Sequence, residues 1–156
     1  MNILGDVVGD LCKTIFPIPE ESYAGNPDSP TAICTLSSID LLRQIANSEV
    51  LGRISVVGRL FSENRGIDSL LRHVNSHRNL KTIIVCGKEV SGHKAGHSLM
   101  ELHKNGTDEN NRIINSTSPE PFLTVKKSEI AYFQNKITLV NQIGQTDLNF
   151  IKKFVQ

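Results

Sequence analysis

The residues best equipped for chemistry fall in one stretch, Cys86-Gly87-Lys88-Glu89-Val90-Ser91-Gly92-His93-Lys94-Ala95-Gly96-His97. It places two imidazoles, a carboxylate and a hydroxyl between an apolar run and a helical pattern. An imidazole ligates metal or moves protons near neutral pH, and a bonded carboxylate or hydroxyl decides which ring nitrogen carries hydrogen. Glu89 and Ser91 are the local candidates to orient His93 in this way. Gly92 and Gly96 each cost about 1 kcal/mol inside a helix. They also clear side chains from around His93, which leaves room for a flat, bulky ligand. His93 and His97 stand four apart, one helical turn, with Glu101 continuing the stripe. A divalent metal site can be built so, but H-E-x-x-H is absent and no third ligand is fixed by spacing. His73 and His77 repeat the interval near a predicted helix end, where histidine suits the helix dipole. The glycines match neither a dinucleotide nor a P-loop fingerprint, and no nucleophile elbow, activated thiol or paired carboxylates are visible.

The elements that position this stretch alternate between strand and helix. Thr31-Ala32-Ile33-Cys34-Thr35-Leu36 reads as a strand stopped by Ser37-Ser38. Ser38 is placed to cap a helix carrying Leu41, Leu42, Ile45 and Ala46. Ile54-Ser55-Val56-Val57 is a second strand, ended by Gly58. After a loop over residues 59–65, Ile67, Leu70, Leu71 and Val74 have the i, i+3, i+4, i+7 spacing of an amphipathic helix. Thr82-Ile83-Ile84-Val85-Cys86 is almost wholly apolar, as in a parallel strand buried on both faces. A helix is predicted over 91–104, a short strand over 112–114, helical spacing over 128–142 and a last helix over 147–155. Residues 1–30, with Pro17, Pro19, Pro27 and Pro30, read as an irregular lead-in to one domain over 31–156. This rhythm predicts an α/β fold, a Rossmann-like three-layer sandwich with a mostly parallel sheet. Ligands of such sheets bind beyond the carboxyl ends of the strands. That rule nominates Ser37-Ser38, Gly58-Arg59, residues 87–97 and residues 115–122, the last including Pro121 and Phe122.

Composition narrows the classes of function. The chain has 156 residues, with 17 Lys+Arg against 16 Asp+Glu. A formal charge of +1 excludes an electrostatically driven nucleic-acid or membrane-surface binder. Aromatic residues at 5%, without Trp, offer little for stacking on bases. Cys12, Cys34 and Cys86 lack the spacing of a disulfide framework, and the latter two read as small buried hydrophobes. No apolar run reaches the roughly 20 residues of a membrane span, and Met1-Asn2-Ile3-Leu4-Gly5-Asp6 is not a signal peptide, so the cytoplasm is the expected compartment.

Over residues 25–144 the chain resembles the tetrahydromethanopterin S-methyltransferase family, in its A component. The likeness rests on Gly25-Asn26-Pro27-Asp28-Ser29-Pro30, on the C-G-x-E-V-x-G-H-x-x-G block from Cys86 to Gly96, and on Leu102-His103-Lys104-Asn105-Gly106-Thr107-Asp108, Pro121-Phe122-Leu123, Phe133-Gln134 and Gln142-Ile143-Gly144. It implies a Rossmann-like domain carrying a cobalamin, with His93 as the lower axial ligand of cobalt. His93-Lys94-Ala95-Gly96 has the H-x-x-G form of several corrinoid proteins, in which an acidic residue stands where Ser91 is. The implied function is a methyl carrier between tetrahydromethanopterin, or a similar donor, and a thiol acceptor such as coenzyme M. Donor and acceptor methyltransferase subunits are its implied partners. Ser37, Gly58, Arg59, Gly87, Glu89, Ser91, Gly92, Gly96, His97, Pro121 and Phe122 are the residues expected around that cofactor. The family usually has Gln at the place of His97, Gly-Pro at Gly58-Arg59 and a Gly-Ala-Thr-Gly-like turn at residues 115–118. Its energy-converting form ends in a membrane anchor, whereas this sequence stops at Phe154-Val155-Gln156, so a soluble homologue is expected. The competing expectation is a small binding or regulatory protein with a divalent metal at His93 and His97.

Overall fold

A computed structural model describes residues 22–156. Cys12 and the start at residues 1–6 lie outside the described residues. Along the chain run β1 (Ser22–Ala24), β2 (Thr31–Cys34), α1 (Ile39–Ala46), a 3-10 turn (Glu49–Arg53), β3 (Val56–Gly58), α2 (Arg65–Ser76), β4 (Thr82–Val85), α3 (Ala95–Asn105), α4 (Lys127–Lys136), β5 (Thr138–Asn141), α5 (Leu148–Ile151) and a closing 3-10 turn (Lys152–Phe154). The five strands form one sheet in the order β1-β3-β2-β4-β5. Every pairing is parallel except β1 against β3. The expected α/β class with a mostly parallel sheet is the observed one.

Side chains alternate across the central strands into two cores. Ile33, Val57 and Ile84 pack with Leu41, Leu42 and Ile45 of α1 and with Ile151 of α5. Ala32, Cys34, Ile83 and Val85 face Leu71 and Val74 of α2, Leu99 and Leu102 of α3, and Phe133 of α4. Helices thus cover both faces, which is why β4 reads as an unbroken apolar run. From β2 the chain moves to one side, through α1 to β3, and all later connections move to the other. Right-handed crossovers then put α1 on one face and α2 to α4 on the opposite one. The point where direction reverses lies between β2 and β4, so residues 35–38 and 86–94 meet at the crevice where such folds bind ligands.

Four expectations need correction. Residues 22–24 are not lead-in but an edge strand, paired from Ser22 to Gly58. Residues 112–114 do not join the sheet; they make isolated bridges, Thr107 with Ile113 and Arg112 with Phe122. Asn111 and Asn115, both at positive φ, turn the chain away on either side. The helical spacing over 128–142 splits into α4 and β5, because Ile130 and Phe133 face the helix-side core while Ile137-Thr138-Leu139-Val140, β-branched at all but Leu139, runs beside β4. The helix predicted over 91–104 starts only at Ala95, after a turn.

Cys34 and Cys86 are buried. Burial pushes the Cys34 thiol up to about 12 and that of Cys86 higher still. Neither carries a thiolate at neutral pH, the form that alkylates. Both are expected to escape iodoacetamide in the native protein and to react after unfolding in urea, as read by peptide mass mapping.

Candidate functional site

His93 stands in the turn over residues 91–94 that joins β4 to α3. Its side chain is 57% exposed, yet one ring nitrogen is firmly held: Nδ1 lies 3.0 Å from Oε2 of Glu63, a carboxylate only 1% exposed. Oε1 of Glu63 accepts the Glu120 backbone N–H at 2.9 Å. Burial acts to raise the Glu63 pKa, but hydrogen bonds from its own and the Glu120 amide and from the His93 ring outweigh it and hold the group below the ordinary glutamate range. An ionised carboxylate only accepts, so Nδ1 of His93 carries the hydrogen, and in the neutral form of the ring the lone pair lies on Nε2. Carboxylate–imidazole pairs of this kind orient metal-binding histidines and raise their basicity.

The turn is fixed by strain and by one other carboxylate. Lys94 occupies the left-handed region at φ 49, at the N-cap of α3, and its side chain makes no cap bond. Glu89 supplies the cap instead: Oε1 accepts from Val90 N and Gly96 N, and Oε2 accepts from His97 N, all at 2.8–2.9 Å. A carboxylate there also meets the positive end of the helix dipole. The local spacing led one to expect Glu89 or Ser91 as the partner of His93, but neither bonds it; Glu63 does, from thirty residues away. Ser91 is exposed. Gly96 is needed because a Cβ would lie 2.9 Å from Glu89 Oε2, 2.9 Å from Leu36 Cδ1 and 3.0 Å from Ile143 Cδ1. It makes room for packing under the turn rather than for a ligand. Gly92, at φ +79, has nothing within 4 Å of such a Cβ and leaves open space.

Ser37 and Ser38 bridge the crevice. Ser37 donates through N and Oγ to Lys88 O at 3.1 and 2.8 Å, and Ser38 Oγ accepts Lys88 N–H at 2.8 Å instead of capping α1. Gly87, at φ +77, lets the two loops touch. Gly58 ends β3, and its carbonyl accepts Thr35 N–H at 2.8 Å. Arg59 folds back on the protein, stacked 3.8 Å over the Phe61 ring and donating to Ser37 O at 3.3 Å. Pro121 is buried, its carbonyl taken by Ile113 N–H. Phe122 is 44% exposed, two residues from the amide that holds Glu63, and so is not a core aromatic. A cavity of about 490 Å³ beneath α2 includes Gly58, Arg59, Leu60 and Phe61, but neither His93 nor Glu63 lines it.

Residues 13–156 match the family model for the A component of tetrahydromethanopterin S-methyltransferase, MtrA. This chain belongs to that family. It is 34% identical over 141 residues to the A component of the putative methyltransferase Mtx of Methanosarcina acetivorans and 38% identical over 143 residues to that of Methanosarcina barkeri, each alignment covering 90% of this chain and 68% of the relative. To the first of the tetrahydromethanopterin S-methyltransferase A components of Methanothermobacter thermautotrophicus it is 33% identical over 144 residues, covering 90% of this chain and 58% of that one. Among the described residues, no helix is long and apolar enough to cross a membrane.

Within this family member the two-histidine metal site loses its basis. His93 belongs to the turn and His97 to α3, so the one-face spacing does not exist. Nε2 of His97 is already engaged, accepting Thr117 N–H at 3.1 Å. No group of three or more His, Cys, Asp or Glu able to hold a metal occurs among the described residues. Sequence reasoning missed Glu63, which no local interval links to His93. Its place in the loop after β3, at the carboxyl end of a strand, was the available signal.

Proposed function

We propose that this protein is a corrinoid-binding methyl carrier, in which His93 would ligate the cobalt. What carries the reading is an exposed imidazole whose Nδ1–H is held by a buried ionised carboxylate, leaving Nε2 free to coordinate. Those donors fit a cobalt centre reached through a single nitrogen. When bound, the corrinoid supplies a metal that takes up a methyl group and gives it to an acceptor, chemistry beyond any side chain here. The residues of this chain bind and orient. Glu63 fixes the tautomer of His93, Glu89 fixes the turn, and Gly92 leaves the approach open. The names of the relatives point to tetrahydromethanopterin as methyl donor and to a sulfur acceptor, a thiol such as coenzyme M. The chain would act with separate donor and acceptor subunits.

The test is the absorption spectrum of the protein reconstituted with cobalamin. Wild-type protein is expected to show the bands of imidazole-ligated cobalt, and His93→Ala those of cobalt carrying water or the cofactor's own base. Identical spectra for the two proteins overturn the assignment.

A further inference from the structure

Beside His93 lies a chain of three hydroxyls that leads to the Lys94 carbonyl. Ser98 Oγ is 2.6 Å from both Ser116 Oγ and Ser118 Oγ, and all three serines are buried. Ser118 Oγ lies 3.2 Å from the Lys94 carbonyl, which can only accept. Each hydroxyl has one hydrogen. The same Lys94 carbonyl also accepts Ser98 N–H at 3.0 Å. With Ser118 donating to Lys94 O, Ser98 donates to Ser118, and Ser116 donates to Ser98 while accepting Ser118 N–H at 3.1 Å. The relay ends on the carbonyl of the strained residue that follows His93. A left-handed conformation in a residue other than glycine is costly and persists only where its surroundings enforce it.

Two residues further on, the same segment reaches His93 from the other side. Glu120 N–H holds Glu63 Oε1, whose partner oxygen holds the ring, and Asn64 Nδ2 donates to Glu120 O at 3.1 Å. Thr117, between the serines, meets His97 Nε2. The grip is thus double, through main chain at Lys94 and through side chain at Glu63.

We propose that residues 116–120 are the element that sets the orientation and tautomer of His93, with Ser118 as its positioning residue. The proposal rests on His93 being the working group, but its test needs no cofactor. In uniformly 15N-labelled full-length protein, at one mildly alkaline pH, long-range proton–nitrogen correlation reads both ring nitrogens of His93, assigned by their loss in His93→Gln. Wild type is expected to show one tautomer, hydrogen on Nδ1. Ser118→Ala is expected to move both signals toward the mixed values of free imidazole, and Ser118→Thr, which keeps the hydroxyl, to restore them. Asp68→Asn serves as a control for lost stability, since its buried carboxylate holds Thr124 and Val125 far along the loop. It is expected to leave the His93 signals in place. Wild-type signals in Ser118→Ala, or an equal shift in Asp68→Asn, overturn the proposal. Should Ser118→Ala not fold, Ser116→Ala removes the first hydroxyl of the relay and is expected to shift the signals the same way by a smaller amount; no shift there overturns it too. Absence of cobalamin binding would sink the functional reading and leave these signals unchanged.

Discussion

Gly87→Ala is expected to destabilise the protein by roughly 3–5 kcal/mol, a large share of the roughly 5–15 kcal/mol that holds a domain together. Two causes act together. The residue sits at φ +77, and a Cβ there would lie 2.2 Å from the Thr35 carbonyl oxygen and 2.9 Å from Ser38 Cβ. Backbone at that distance cannot rotate aside as a flexible side chain would. Relief requires pulling the 35–38 loop away from 86–89, which breaks the Ser37 and Ser38 bonds to Lys88. Gly92→Ala separates the causes. It has nearly the same φ, +79, with nothing within 4 Å, so it carries only the left-handed cost of about 1–2 kcal/mol. Urea unfolding of both variants measures the difference. Equal losses would mean that contact at the crevice does not matter.

That crevice shows how far residues alone disclose structure. The strands at β2 and β4 and the helices α1 and α2 follow from apolar spacing, because each buries its hydrophobic side against the two faces of one sheet. β5 escaped for a physical reason: Ile130, Phe133, Ile137 and Val140 satisfy a helical interval across the point where the chain changes from helix to strand. The α3 start escaped because its cap is not local. Lys94 at the N-cap has no capping oxygen, and the carboxylate that does the capping is Glu89, before the turn. The site divides along the same line. His93, Glu89 and Gly96 stand out by residue type within the 86–97 stretch, but their partners do not: Glu63 holds His93, Glu89 caps α3, and Gly96 packs against Leu36 and Ile143. Glu63, Ser116 and Ser118 are brought by separate loops to meet the turn and Ser98 of α3, and no spacing in the chain encodes that meeting.

The consequence is sharpest for Glu63→Gln, which keeps the shape and changes the pattern of donors. Besides its own amide, the carboxylate accepts from Glu120 N–H on one oxygen and from His93 Nδ1–H on the other. A carboxamide accepts through its oxygen and donates through its nitrogen. With the oxygen toward His93, the amide nitrogen would face Glu120 N–H, two donors in a buried place, at a cost of roughly 1–3 kcal/mol. With the oxygen toward Glu120, the amide nitrogen faces Nδ1, which must then accept. The second arrangement satisfies every group and wins, but it moves the hydrogen of His93 to Nε2, the nitrogen proposed to coordinate. Stability is therefore expected to change by less than about 1 kcal/mol, while axial binding of cobalamin weakens roughly 10–100-fold, the usual effect of removing the partner behind a metal-bound histidine. Spectral titration with cobalamin beside urea unfolding reads the two effects separately. Undiminished binding by Glu63→Gln would show that the carboxylate does not govern the ring, and a matching loss of stability would show that its role is structural alone.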